Sequence, residues 1–167
     1  PLIQKIAQLS SLKYGENEQV DIAMRVISDH IRAVSFAISD GQLPSSNGAG
    51  YVIRRILRRA IRYGYSYLNL KEPFFFELVE VLAKQTEEIF PDLTKQKDFV
   101  IKVIKEEEIS FLKTLGRGIE IINNLQISNN IIPGDKAFEL FDTYGFPKDL
   151  TQLLAKEKGW SVDLNGF

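Results

Sequence analysis

The sequence predicts an all-α fold, an antiparallel helical bundle with one long helix and a short strand near the C-terminus. Three observations predict it. Apolar residues recur at i, i+3, i+4 and i+7 in successive segments. Short runs rich in Pro, Gly, Asn and Ser separate those segments, and neither an internal repeat nor a low-complexity tract intervenes. Its 167 residues are enough to bury a substantial core and suit one domain, residues 1–167, with about 160–167 forming a linker or edge strand.

Ile3, Ile6, Ala7 and Leu9 place a first helix in Leu2 to Leu12, closed by Tyr14-Gly15. Ile22, Ala23, Val26, Ile27, Ile31, Val34 and Ile38 form one stripe of a second, Val20 to Ile38, which ends at Asp40-Gly41. The run from Pro44 to Gly50 is dense in turn formers, and Ser46 or Asn47 is placed to cap the next helix. That third helix, about Gly50 to Leu68, buries Ile53, Ile56, Leu57, Ala60 and Ile61. Another opens at Pro73, a favoured first-turn residue, and carries Phe76, Leu78, Val79 and Leu82. After a break at Pro91 comes the long helix, about Leu93 to Leu125. Glu106 to Glu108 on it read as a solvated face or as partners for the arginines. Asn129-Asn130 and Pro133-Gly134 read as a turn, and Asp135 caps a short helix with Ala137, Phe138, Leu140 and Phe141. Gly145-Phe146-Pro147 breaks it, Leu150 to Lys158 forms the last helix, and Trp160 to Leu164 the short strand.

Composition removes several function classes. There is no cysteine, so disulfides and thiolate metal sites are excluded, and a reducing compartment is favoured. One histidine, His30, cannot supply a protein zinc site, which needs three or four convergent ligands. It reads instead as a structural histidine bonded to nearby backbone. No apolar run reaches the roughly 18 residues of a membrane span, and no signal peptide is visible. The chain opens at Pro1 rather than Met and stops just after Gly166, which reads as a piece of a longer protein.

The 21 basic and 22 acidic residues almost cancel, yet their distribution does not. Gly41 to Leu70 holds five arginines and no acid, whereas Lys71 to Ser110 holds ten acids and six lysines. Arg54, Arg55, Arg58, Arg59 and Arg62 fall at i, i+1, i+4, i+5 and i+8, two adjacent rows beside the apolar stripe. Like charges this close repel, and guanidinium forks match phosphate oxygens bidentately. Gly48 and Gly50 leave room for backbone to approach an anion at the helix start. The competing reading is a helical structural module whose arginines are neutralised by the downstream acids. Exposure of the guanidiniums separates the two.

Asp29-His30-Ile31-Arg32-Ala33, Asp40-Gly41 and the run Gly48 to Ala60 (GAGYVIRRILRRA) resemble the alanyl-tRNA synthetase family, as does Phe141 to Thr151 (FDTYGFPKDLT). Glu106-Glu107-Glu108 to Gly118 matches it in type and position, and the likeness runs from about Val26 to Leu164. In this class II family a catalytic domain comes first and a helical tRNA-recognition domain comes after it. The resemblance implies that this chain is the latter, that the whole enzyme attaches alanine to its tRNA with ATP, and that it is cytoplasmic. It also implies that ATP, magnesium and a zinc ion belong to the full-length enzyme, with no cofactor, catalytic residue or metal ligand in this segment. The residues agree, since they show no P-loop spacing and no nucleophile paired with His30. The implied partners are the acceptor stem of tRNA(Ala) and the synthetase's own catalytic domain.

Members of the family recognise a G·U wobble pair in that stem. The pair leaves the guanine 2-amino group unpaired in a wide, shallow minor groove, so its reader must offer hydrogen-bond acceptors. In the family these come from an Asn in a Pro-containing loop and from the Asp of a DTYGFP motif. The second corresponds here to Asp142. The first departs: where Asn is usual two positions after Pro, this chain has Ser46, with Asn47 next. Either Asn47 takes the role by a local shift or Ser46 makes the contact through its hydroxyl, and Asn47 is the preferred reader. Arg54, Arg55, Arg58, Arg59 and Arg62 are the phosphate contacts. Tyr51 suits a phosphate or the core, Arg32 suits Asp29, Asp40 or phosphate, and Tyr144, Phe146 and Trp160 suit core packing better than base stacking.

Overall fold

Helices dominate the chain because apolar side chains at helical spacing find partners on neighbouring helices. The computed structural model describes residues 1–144, 146, 148–163 and 165, the side chains of Tyr144 and Asp149 excepted. Eight helices and two short strands occur among them. They fall into two units, Pro1–Leu112 and Lys113–Phe167.

The first unit begins with α1 (Leu2–Ser10) and α2 (Glu18–Ser39). α2 starts two residues before the predicted Val20 because the Asn17 side chain accepts the N–H groups of Gln19 and Val20 at 2.9 and 3.2 Å. It ends at Asp40-Gly41 as expected. Gly41 adopts φ 96°, and the N–H groups of Gly41 and Gln42 return to the carbonyls of Ile38 and Ala37. That pairing satisfies the last carbonyls and needs a residue that tolerates positive φ. α3 (Gly48–Tyr67) packs on α2, and Ile53, Leu57, Ala60 and Ile61 of α3 are buried, as are Ile27, Ile31, Val34 and Ile38 of α2. Full burial of one such side chain stabilises by about 1.5–3 kcal/mol.

Two boundaries differ from the expected ones. The helix expected from Pro73 is α4 (Glu77–Thr86), and residues 74–76 form a turn before it. The long helix expected from Leu93 is divided into α5 (Pro91–Lys95) and α6 (Lys97–Asn123), interrupted at Gln96. Proline takes the first position of α5, where its missing N–H is harmless, rather than marking only a break.

Glu108 of α6 explains the turn before α4. Its Oε2 accepts the backbone N–H groups of Phe74 and Phe75 at 2.7 and 2.8 Å, and its Oε1 that of Phe76 at 3.3 Å. These are donors at the beginning of a helix that would otherwise lack acceptors. The side chain is fully buried, so the expectation of a solvated or arginine-paired glutamate is wrong at this position. Burial pushes the carboxyl up to about 7, more than the bonds from Phe75, Phe74 and Phe76 lower it, and Glu77 raises it slightly further. The turn also seats the Phe74 ring against Gly64 of α3, where any Cβ would overlap the ring.

The second unit holds the end of α6, then β1 (Ile131–Ile132), α7 (Gly134–Tyr144), α8 (Lys148–Glu157) and β2 (Ser161–Val162). β1 and β2 pair in parallel, Ile131 opposite Ser161 and Ile132 opposite Val162. The C-terminal strand is thus present but shorter than Trp160 to Leu164, and Leu164 lies outside the described residues. Its partner occupies part of the segment expected to be only a turn. Asp135 lies inside the first turn of α7 rather than capping it, since the helix begins at Gly134. Of the expected break, Phe146 is buried, while Gly145 and Pro147 lie outside the described residues.

Candidate nucleic-acid interface

Residues 43–50 fold back on the start of α3. The Gly50 carbonyl accepts the N–H of Ser45 at 3.0 Å, and the Ser45 hydroxyl donates to the Asn47 carbonyl at 2.7 Å. Gly50 is buried against Leu43 and Ser45, so closely that a Cβ there would strike the Ser45 hydroxyl and the Leu43 carbonyl. The loop is therefore pinned by its neighbours while Ser46 and Asn47 remain exposed. Asn47 occupies the cap position, and its carbonyl accepts the Tyr51 N–H at 3.2 Å. Its side chain makes no capping bond, contrary to the expected role, which leaves the amide group pointing to no local donor.

A helix advances about 100° per residue. On α3 that puts Arg54 and Arg58 along the edge of the buried stripe and Arg55, Arg59 and Arg62 on the outward side. The structure divides them in the same way. A single oxygen of Glu107 of α6, Oε1, lies 2.8 Å from Arg54 Nε, an ion-pair contact without hydrogen-bond geometry, and 3.2 Å from Arg58 Nη2. Arg58 Nε also donates to that oxygen at 3.2 Å, and its guanidinium lies 5.0 Å from the Phe111 ring centre. Burial lowers Arg58 below the ordinary guanidinium range more than Glu107 raises it, and Arg54 lowers it further. The guanidinium nonetheless stays charged at neutral pH.

Arg55, Arg59 and Arg62 join no salt bridge among the described residues. Arg55 lies 5.9 Å from the Tyr51 ring centre, and Arg59 and Arg62 lie 5.5 and 5.4 Å from that of Tyr63. Tyr51 is 45% exposed, so the core role considered for it does not hold. Tyr63 carries no expectation from the sequence, although its (i, i+4) and (i, i+1) spacing to Arg59 and Arg62 could have marked it.

His30 of α2 feels the same positive field. Burial first, then Arg59, hold it below its ordinary 6.5, with Asp29 opposing, so it is neutral at pH 7. Its Nε2 is buried with no hydrogen-bond partner, so the expected bond from this histidine to nearby backbone is not made at that atom. Arg32 is exposed and pairs with neither Asp29 nor Asp40.

Asp142 belongs to the second unit, on the last turn of α7. It is exposed and makes no hydrogen bond or ion pair with another described residue. In the same unit Trp160 is half-buried with Lys158 5.2 Å from its ring centre, and the side chain of Tyr144 lies outside the described residues. Among the described residues no three His, Cys, Asp or Glu side chains converge as metal ligands. None of the described helices is long and apolar enough to cross a membrane.

A cationic helix face beside a pinned polar turn is a surface suited to a structured polyanion, and comparison with known proteins gives the class. Residues 1–167 match the family described as tRNA synthetases class II (A), to which the chain belongs. More narrowly, it is similar to alanine–tRNA ligases. It is 56% identical over 172 residues to that of Cytophaga hutchinsonii and 54% over 169 to that of Christiangramia forsetii. It is 51% identical over 172 residues to that of Bacteroides fragilis. All of this chain is covered in each case, but only 20%, 19% and 20% of the three relatives. The chain thus spans about a fifth of the length of the curated relatives it matches.

Proposed function

We propose that this chain is the helical tRNA-recognition segment of an alanine–tRNA ligase, the part that comes after the catalytic domain and reads a G·U wobble pair in the acceptor stem. The parent enzyme would attach alanine to tRNA(Ala) in the cytoplasm using ATP. One observation carries the reading. Among the described residues, three guanidiniums without a carboxylate partner line the outward side of α3, directly after the exposed Ser46-Asn47 turn, in a member of a tRNA synthetase family.

In this reading the arginine helix holds the stem by its phosphates and fixes its register, while base-edge contacts supply the choice of sequence. Asn47, or Ser46 through its hydroxyl, and Asp142 would accept from the unpaired guanine 2-amino group. Their support is chemical: both Asn47 and Asp142 are exposed acceptors not engaged by another described residue, the state a reader needs before RNA arrives. The competing structural module, with its arginines neutralised internally, is weakened because among the described residues one carboxylate, that of Glu107, serves two of the five and the other three have none.

The test is a titration of acceptor-stem duplexes, wobble against Watson–Crick, at two salt concentrations. Phosphate contact makes affinity fall steeply with salt. Asp142→Ala should shrink the preference for the wobble stem by about 1–3 kcal/mol, the usual worth of a paired base contact. An unaltered preference removes Asp142 from the site, and an affinity indifferent to salt removes the electrostatic grip.

A further inference from the structure

The five arginines of α3 share one helix, but their surroundings are of two kinds. Arg54 and Arg58 are 28% and 22% exposed, converge on one oxygen of Glu107, and bridge α3 to α6. Arg55, Arg59 and Arg62 reach no carboxylate among the described residues, and the rings of Tyr51 and Tyr63 lie beneath them. An aromatic face steadies a guanidinium without using its N–H donors, which lie in the plane of the fork. These three therefore keep their donors available while losing little freedom on binding. Arg55, Arg59 and Arg62 lie successively about one helical turn apart along α3.

We propose that the arginine helix divides its work: Arg55, Arg59 and Arg62 grip RNA phosphates, whereas Glu107 withdraws Arg54 and Arg58 from the RNA and uses them to fasten α3 to α6. The division rests on the tRNA-binding reading and narrows it from five residues to three. Glu107 is in this sense a positioning residue. It sets both the orientation of the cationic face and the number of charges that face presents.

The slope of log affinity against log salt counts phosphate contacts, so it distinguishes the two rows, whereas a fall in affinity alone would not. The measurement uses the 167-residue chain and an acceptor-stem RNA duplex carrying the wobble pair. Arg55→Gln, Arg59→Gln and Arg62→Gln should each flatten the slope by about 0.7–0.9. Arg54→Gln and Arg58→Gln should lower the melting temperature and leave the slope unchanged. Should those two fail to fold, Glu107→Gln gives the same answer from the other side. Releasing two guanidiniums should steepen the slope by about 0.7–0.9 for each that reaches a phosphate. Flattening by Arg54→Gln or Arg58→Gln equal to that of Arg59→Gln overturns the division alone, as does an unchanged slope in Glu107→Gln. A flat slope in the unaltered chain overturns RNA binding and the division together.

Discussion

Glu108→Gln replaces the buried carboxyl ahead of α4 with a neutral group of the same shape. Both short bonds, from Phe74 and Phe75, end on Oε2, and only the longer one from Phe76 reaches Oε1. An amide carbonyl placed at Oε2 therefore keeps the two strong bonds and forfeits the weak one. The substitution removes a charge that burial disfavours, since desolvation lifts the carboxyl from an ordinary 4.5 to about 7. At about 1.4 kcal/mol per pH unit, the ionised form is disfavoured in the fold by about 3 kcal/mol. A folded pKa above the unfolded one gives stability that is complete below about 4.5 and lost as pH rises through about 7. The variant should accordingly lie within about 1 kcal/mol of the native chain at about pH 5, and should exceed it by about 3 kcal/mol by about pH 8.5. Urea unfolding at stepped pH measures the difference, and other titrating groups cancel between the two chains. Far-UV circular dichroism is the suitable signal, because the single tryptophan, Trp160, reports the second unit rather than the first. A variant less stable than the native chain at about pH 8.5 would refute the reasoning, because the carboxylate's bonds would then outweigh its desolvation.

Gly64→Ala sets a methyl group into the Phe74 ring, and overpacking of this kind costs about 1–3 kcal/mol in chemical unfolding. A gain in stability, the usual result of Gly to Ala inside a helix, would mean the ring has room to retreat. Gly50→Ala meets the Ser45 hydroxyl and the Leu43 carbonyl, so the turn carrying Ser46 and Asn47 must shift. Preference for the wobble stem should fall in a competition assay while helix content holds, and an unchanged preference would detach that turn from base reading. His30 sits below its ordinary 6.5, so its share of stability is present above that value and is lost as pH falls below it. His30→Gln should lose less stability than the native chain between about pH 6.5 and about pH 5, and parallel losses would count against a neutral buried imidazole.

The helices are legible in the sequence because each carries its own stripe, and most of the stripe is buried in α2 and α3, although Ile22 is exposed and Val26 and Ile56 are only half-buried. Boundaries go astray where the deciding partner is distant in sequence. Pro73 has the local chemistry of a helix start, yet the N–H groups of Phe74, Phe75 and Phe76, in the turn before α4, are held by a residue more than thirty positions later. Nor do spacing rules report that Gln96 interrupts a helix or that two residues at Ile131–Ile132 find a strand partner beyond α8. At the interface, spacing alone places the arginines on one helix, but not which of them has a carboxylate opposite. Asp142 is different again. Nothing in its local pattern marks it, and only the resemblance of its whole motif points to it.

Three consecutive glutamates show how far a single helix can be read. Glu106, Glu107 and Glu108 project about 100° apart, so one solvated face cannot hold them all. In the structure Glu106 is exposed, Glu107 lies at the edge with Arg54 and Arg58, and Glu108 is buried. The sequence does hold the sign. Val100, Ile104, Glu108 and Phe111 lie at i, i+4, i+8 and i+11, one continuous stripe in which three apolar members are fully buried. An acid in such a stripe must find donors or lose its charge, and three backbone N–H groups at the start of a neighbouring helix are such donors. The same turn of α6 thus anchors α4 with one carboxylate and α3 with the next, so the orientation of the cationic face is fixed by the residues that fix the core.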